Sequence, residues 1–173
     1  GTGWTSYVNS TFDARGKETF TSYPSTNPVS TSGLTSTYDA LLRRLTTAAP
    51  GSSITYSYLP GHIRRTVDAV GNQTDSYFSG YDGPDSEETI RILQPLSANT
   101  YINRNIWGEI ESVRQTGTQN GYTVDFTQYH YYDALHRRCR YSTPEAGDTL
   151  FAYNAAGELT SYQKGASSGS TCV

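Results

Sequence analysis

Apolar and polar positions alternate with period two over much of this chain. Ile54, Tyr56 and Tyr58 fall on one side of their segment, and Ser53, Thr55 and Ser57 on the other. Tyr122, Val124 and Phe126 alternate in the same way with Thr123, Asp125 and Thr127. Period two marks strands with two unlike faces. Gly, Pro, Asn and Asp punctuate the runs, so the pattern predicts successive hairpins. Residues 42–48 pair with 53–58 around a turn at 49–52. Residues 63–68 pair with 73–78 around 70–72. Residues 88–93 and 99–103 flank a turn at 94–97. The longest pair is 108–115 with 122–131, joined by a loop at 117–121. Residues 136–142 and 148–153 flank a turn at 143–147, and 158–163 starts one more strand. Helical periodicity is weak. A short helix could open in 84–93, where the repeat frame places a strand instead. Before residue 38, Pro24, Pro28 and Gly33 break the pattern into loops and short edge strands.

The hairpins follow a repeat. Tyr38-Asp39-Ala40-Leu41-Leu42-Arg43-Arg44 returns as Tyr132-Asp133-Ala134-Leu135-His136-Arg137-Arg138. Weaker copies start at Phe12, Tyr58, Tyr81, Arg104 and Tyr153, so the period is irregular but bounded. The next position reads Asp13, Asp39, Leu59, Asp82, Asn105, Asp133, Asn154. Three positions further on stand Gly16, Leu42, His62, Asp85, Gly108, His136 and Gly157. An Asx side chain accepts a hydrogen bond from the backbone two residues on, and a left-handed residue closes the turn. Asp39, Asp82, Asn105, Asp133 and Asn154 are therefore candidate turn caps. Leu42 is the exception: a left-handed Leu costs about 1–2 kcal/mol.

These units resemble the YD, or RHS, repeats. Val67-Asp68-Ala69-Val70-Gly71-Asn72-Gln73-Thr74 matches the Asp-x-x-Gly-Asn turn of that family, and Ile54-Thr55-Tyr56-Ser57-Tyr58 its alternating tyrosines. The resemblance spans residues 12–164. Leu42 and His136 stand where the family has Gly, and Arg104 where it has Tyr. The resemblance implies an all-β fold of consecutive antiparallel hairpins in a curved, twisted sheet or shell segment. It divides the chain into a degenerate N-terminal part (1–37), the hairpin repeats (38–164) and a Gly/Ser-rich tail (165–173). It also implies a non-enzymatic wall segment of a secreted or cell-surface bacterial assembly, toxin-associated in its relatives. Partners would be flanking repeats or neighbouring copies along sheet edges, and an enclosed polypeptide or glycan. The alternatives are a carbohydrate-binding cell-surface module and a self-assembling extracellular fibre subunit. Tyr56, Tyr58, Tyr129, Tyr131 and Tyr162 form the candidate aromatic surface.

Composition agrees with strands. Tyr is abundant, at 15 residues, and long aliphatic runs are absent. The chain has no Met, so it is expected to be a processed or excised piece. No run is apolar enough to span a membrane as a helix. A net charge of −3 argues against nucleic acid. No phosphate loop, Gly-x-Ser-x-Gly elbow or metal-ligand spacing occurs. His62, His130 and His136 stand alone, and no cofactor is expected. The arginine pairs 43–44, 64–65 and 137–138 should turn one member inward over tyrosine rings. Cys139 and Cys172 allow two readings: a small buried apolar residue at 139, or a disulfide closing about 33 residues. Asn9 and Asn72 begin glycosylation sequons.

Overall fold

The structure, a computed structural model, describes residues 5–80, 88–166 and 172. Asp82, Tyr81 and Asp85 lie outside the described residues. The chain divides into two compact units, Gly1–Glu88 and Thr89–Val173.

In the first unit the strands are β1 (Ser10–Phe12), β2 (Glu18–Ser22), β3 (Gly33–Tyr38), β4 (Arg44–Ala49), β5 (Ser52–Leu59), β6 (Ile63–Val67) and β7 (Gln73–Phe78). In the second they are β8 (Thr89–Leu93), β9 (Asn99–Arg104), β10 (Ile110–Gln119), β11 (Tyr122–Tyr132), β12 (Arg138–Thr143), β13 (Gly147–Tyr153) and β14 (Leu159–Ala166). Within each unit every strand pairs antiparallel with the next in sequence. No pair closes either sheet among the described residues. The expected all-β class of consecutive hairpins holds. Of residues 84–93, where a short helix could open, 84–87 lie outside the described residues and Thr89–Leu93 forms strand β8; a 3-10 turn follows at Pro95–Ser97.

Several boundaries differ from the sequence reading; the strands expected from 108 and 136 begin at Ile110 and Arg138, and the turn expected at 143–147 is narrowed by the pair Thr143↔Gly147. The loop expected at 117–121 shrinks to Asn120 and Gly121, because Gly117↔Val124 and Thr118↔Thr123 continue the ladder. Both turn residues take positive φ, so a two-residue turn suffices. The expected tail at 165 begins inside β14, where Ala166 still pairs with Asp148. The strand expected from residue 42 begins at Arg44, because Leu42 sits in the turn at φ 63.

The packing is thin. Phe78 and Cys139 are the buried apolar side chains among the described residues, and none is completely enclosed. A Tyr- and Thr-rich sheet tolerates this, since each Tyr covers apolar area while its hydroxyl finds a polar partner.

Candidate functional site

The connections after odd-numbered strands repeat one construction. In the β3–β4 turn, Asp39 Oδ1 accepts from the amides of Leu41 and Arg43, both at 2.9 Å. Asp39 N donates to Arg43 O, and Leu42 N to Asp39 O. The same four bonds close the turns at Asp13, Asn105, Asp133 and Asn154. The residue three past each cap is left-handed: Gly16, Leu42, Gly108, His136 and Gly157. The β5–β6 connection is built otherwise. Leu59 pairs directly with Ile63, and both Gly61 and His62 take positive φ.

In the turns at Asp39, Asn105, Asp133 and Asn154 the cap's remaining polar atom selects the residue four positions on. Asp39 Oδ2 receives Arg43 Nε at 2.8 Å, and Asp133 Oδ2 receives Arg137 Nε at 2.8 Å. Where the cap is Asn the polarity reverses. Asn105 Nδ2 donates to Glu109 at 2.6 Å, and Asn154 Nδ2 to Glu158 at 2.7 Å. Asp68, between β6 and β7, makes the same turn with Asn72. Neither Asp13 nor Asp68 stood among the candidate caps named from sequence; Asp68 follows the pairing with the fourth neighbour, whereas Asp13 Oδ2 takes the Arg15 guanidinium, two positions on. The Arg137 side chain and amide hold the Asp133 carboxyl below the usual carboxylate range. The Lys17 amide does the same for Asp13, and Asn72 for Asp68.

Two further devices recur. Each of these hairpins carries the same one-residue bulge just past the turn, set by Phe12↔Glu18, Tyr38↔Arg44, Arg104↔Ile110, Tyr132↔Arg138 and Tyr153↔Leu159. A tyrosine at or next to the end of an odd strand then donates its hydroxyl to a carbonyl at the start of an even strand in the preceding hairpin. Tyr38 reaches Glu18 O (3.0 Å), Tyr58 reaches Arg44 O (3.1 Å), Tyr132 reaches Ile110 O (3.0 Å) and Tyr153 reaches Arg138 O (2.9 Å). Neighbouring turns also touch: Arg15 donates to Asp39 O, Arg137 to Asn154 O, and His136 Nδ1 lies 3.2 Å from Glu109.

Both members of two arginine pairs meet aromatic rings. Arg43 lies 4.1 Å from the Tyr58 centroid and Arg44 5.9 Å from Tyr38. Arg137 stacks on Tyr153 and Arg138 on Phe151. Arg64 covers Phe78, whereas Arg65 pairs with Asp75 at 2.8 Å. The candidate aromatic residues fall in both units. Tyr56 and Tyr58 share a cleft in the first unit. In the second, Tyr129 and Tyr131 lie 6.5 Å apart, and Arg140 covers Tyr131 at 3.6 Å. Tyr162 pairs with Phe151, one residue off the row that runs from Tyr131 through Arg140 and Leu150 to Gln163. Adjacent residues face oppositely, so Tyr162 points away from Tyr131. Cys139 is the extra residue of its bulge and is disulfide-bonded to Cys172. Among the described residues no three His, Cys, Asp or Glu side chains gather as a metal site. No helix there is long and apolar enough to cross a membrane.

The architecture is thus a tandem array of antiparallel hairpins, five of them closed by one shared turn and bulge. No family model and no curated protein matches the chain. Solved structures do. The crystal structure of TcdB2-TccC3-TEV matches 95% of this chain at 14% identity with a TM-score of 0.66. The crystal structure of TcdB2-TccC3-Cdc42 matches 95% at 13% identity with a TM-score of 0.60. A structure of the Photorhabdus luminescens Tc holotoxin pore with a TccC3 mutation aligns over 88% at 13% identity, with a TM-score of 0.46. The chain spans 9% of the length of each of the first two. At this identity the likeness shows the fold.

Proposed function

We propose that this chain is a non-enzymatic structural module, a run of YD/RHS-type hairpins forming part of the wall of a shell or extracellular assembly. The observation that carries this reading is the recurrence of turn and bulge in five hairpins, at the Asx positions where catalytic acids would otherwise be sought. The repeated acids engage their own turn amides and the adjoining arginine. The Asp39 carboxylate is held within its own turn by three hydrogen bonds. The likeness to short stretches of far longer TcdB2-TccC3 chains supports the same reading. So does the thin packing: an open sheet with so little buried apolar surface gains stability from neighbours. A secreted or cell-surface bacterial setting goes with it, and the disulfide suits an oxidising compartment.

The sheet edge supports a strand-adding partner. Seven of the eight residues of β14 are exposed, and the strand pairs with β13. Its outer amides and carbonyls fit a further strand, from flanking repeats or a neighbouring copy. The test is hydrogen exchange of residues 159–163 at low and high protein concentration, alongside sedimentation and negative-stain images. Slowing at high concentration, with ordered particles, is the expected result. Fast exchange at both concentrations in a sedimenting monomer removes the assembly half of the reading. Long filaments would favour the fibre alternative instead.

A further inference from the structure

The first unit holds a cleft of about 760 Å³ framed by β3 to β6. Four cations line it, Lys17, Arg43, Arg44 and Arg64, together with the rings of Tyr56 and Tyr58. In a chain of net charge −3 this is a local excess of positive charge. Asp39 neutralises Arg43. Among the described residues no carboxylate lies within ion-pair distance of Lys17, Arg44 or Arg64. Glu18 lies close enough to be lowered by Arg44, after hydrogen bonds from Ser10 and Thr21.

The wall is richer in donors than in acceptors, its side-chain acceptors being the hydroxyls of Tyr38, Tyr56 and Tyr58, of which Tyr38 and Tyr56 already meet Arg44. Lys and Arg donate and never accept. The Tyr58 hydroxyl already donates to Arg44 O, and the backbones of these strands are engaged in their ladders. Arg64 Nε is buried and has no acceptor. A buried donor without a partner is costly, and an acceptor supplied from outside relieves that cost. Among the described residues no ring or cation stacks on the face of Tyr56, whose hydroxyl meets Arg44, whereas Tyr58 is covered by Arg43. A peptide would bring as many backbone donors as acceptors and find little here to take the donors. The cleft volume lies in the range of small-ligand sites and exceeds what one side chain fills.

We propose that this cleft binds a compact organic anion carrying several acceptor oxygens, its charge held by Lys17, Arg44 and Arg64 and a ring laid on Tyr56. Carboxylate and phosphate present the same chemistry to guanidinium groups, so the experiment separates them. The 173-residue chain is titrated by NMR with trimesate, phenyl phosphate, inorganic phosphate and, as an uncharged control, phenyl glucoside. One of the two ring anions saturates a single site and shifts the Lys17, Arg44 and Arg64 side-chain signals; which one identifies the anionic group. Lys17→Gln and Arg64→Lys each weaken that binding about tenfold, the scale of one charged hydrogen bond. Tyr56→Leu removes the advantage of the ring anion over inorganic phosphate. Arg114→Gln, in the other unit and paired with Asp125, changes nothing. Binding of phenyl glucoside with equal strength overturns the proposal. So does anion binding that Lys17→Gln and Tyr56→Leu leave unaltered, or the absence of saturation by either ring anion in the folded protein. Such failure leaves the wall reading untouched, since that reading rests on sedimentation and edge exchange.

Discussion

At the residue scale the turns show how little chemistry a repeat needs. One side-chain oxygen satisfies two amides, and, Asp13 apart, the cap's second atom chooses a partner of matching polarity four residues on. Leu42 is the misfit, holding φ 63 where Gly16, Gly108 and Gly157 hold theirs without a Cβ clash. Leu42→Gly therefore stabilises the protein by up to about 1 kcal/mol, the left-handed penalty less the greater freedom of Gly in the unfolded chain. A thermal melt reads this as a rise in midpoint. Acid should separate the two kinds of cap. Asp13, Asp68 and Asp133 have folded pKa values below the usual one, so their contribution is full above about pH 4 and is lost as pH falls through the lowered values. In an NMR titration the Leu135 amide should follow a carboxylate midpoint below that of a free Asp. The amides of Trp107 and Ala156, bonded to Asn105 and Asn154, should show no such step.

At the element scale the hairpin is defined by its bulge and by the tyrosine that follows one hairpin later. The bulge turns the residue after the first even-strand position out of register, which leaves its partner carbonyl for a side chain. Thr19 and Thr160 fill that place with hydroxyls donating to Thr11 O (3.2 Å) and Ala152 O (3.0 Å). Cys139 sits in the equivalent place, with Sγ 3.2 Å from Tyr131 O. The tyrosine hydroxyls then tie hairpin to hairpin. Tyr132 is the partly buried case, and burial, followed by Glu109, pushes its phenol up. Tyr132→Phe should cost about 1 kcal/mol, because Ile110 O loses its donor while the ring is kept. Denaturant unfolding should show a lower midpoint at unchanged slope. An altered slope would mean that the ring itself had moved.

At the scale of the molecule, stability comes from covalent and lateral ties more than from a core. Cys139 and Cys172 are 33 residues apart, and their bond reaches past β13 and β14 to the bulge of β12. Reduction by a dithiol should lower stability by about 3–4 kcal/mol in the chain-entropy account of such a loop. Hydrogen exchange should show the loss of protection in β12 to β14, with β1 to β7 as the internal reference. Uniform loss across both sets would mean that the two units unfold together. The exposed outer edge of β14 belongs to this scale too, since a partner strand there adds lateral ties of the kind each inner strand already has.

The sequence by itself determined the strands and the turns. Alternation at Ile54, Tyr56 and Tyr58 is a local property, and so is an Asp or Asn followed three residues later by a residue that bends. Backbone sterics fix their meaning without distant contacts. The sequence also held, unread, the rule that pairs Asp133 with Arg137 and Asn154 with Glu158. Other features were decided only in three dimensions. Gly117 entered β10 because a partner strand ran opposite it, although Gly reads locally as a break. The Cys139–Cys172 bond required the chain to return across two strands. The gathering of Lys17, Arg44 and Arg64 into one cleft depended on lateral strand order, which brings together residues separated by the length of whole hairpins. Period and turn chemistry act within a few residues. Register, disulfide pairing and clefts follow from which strands lie side by side, a property of the assembled sheet.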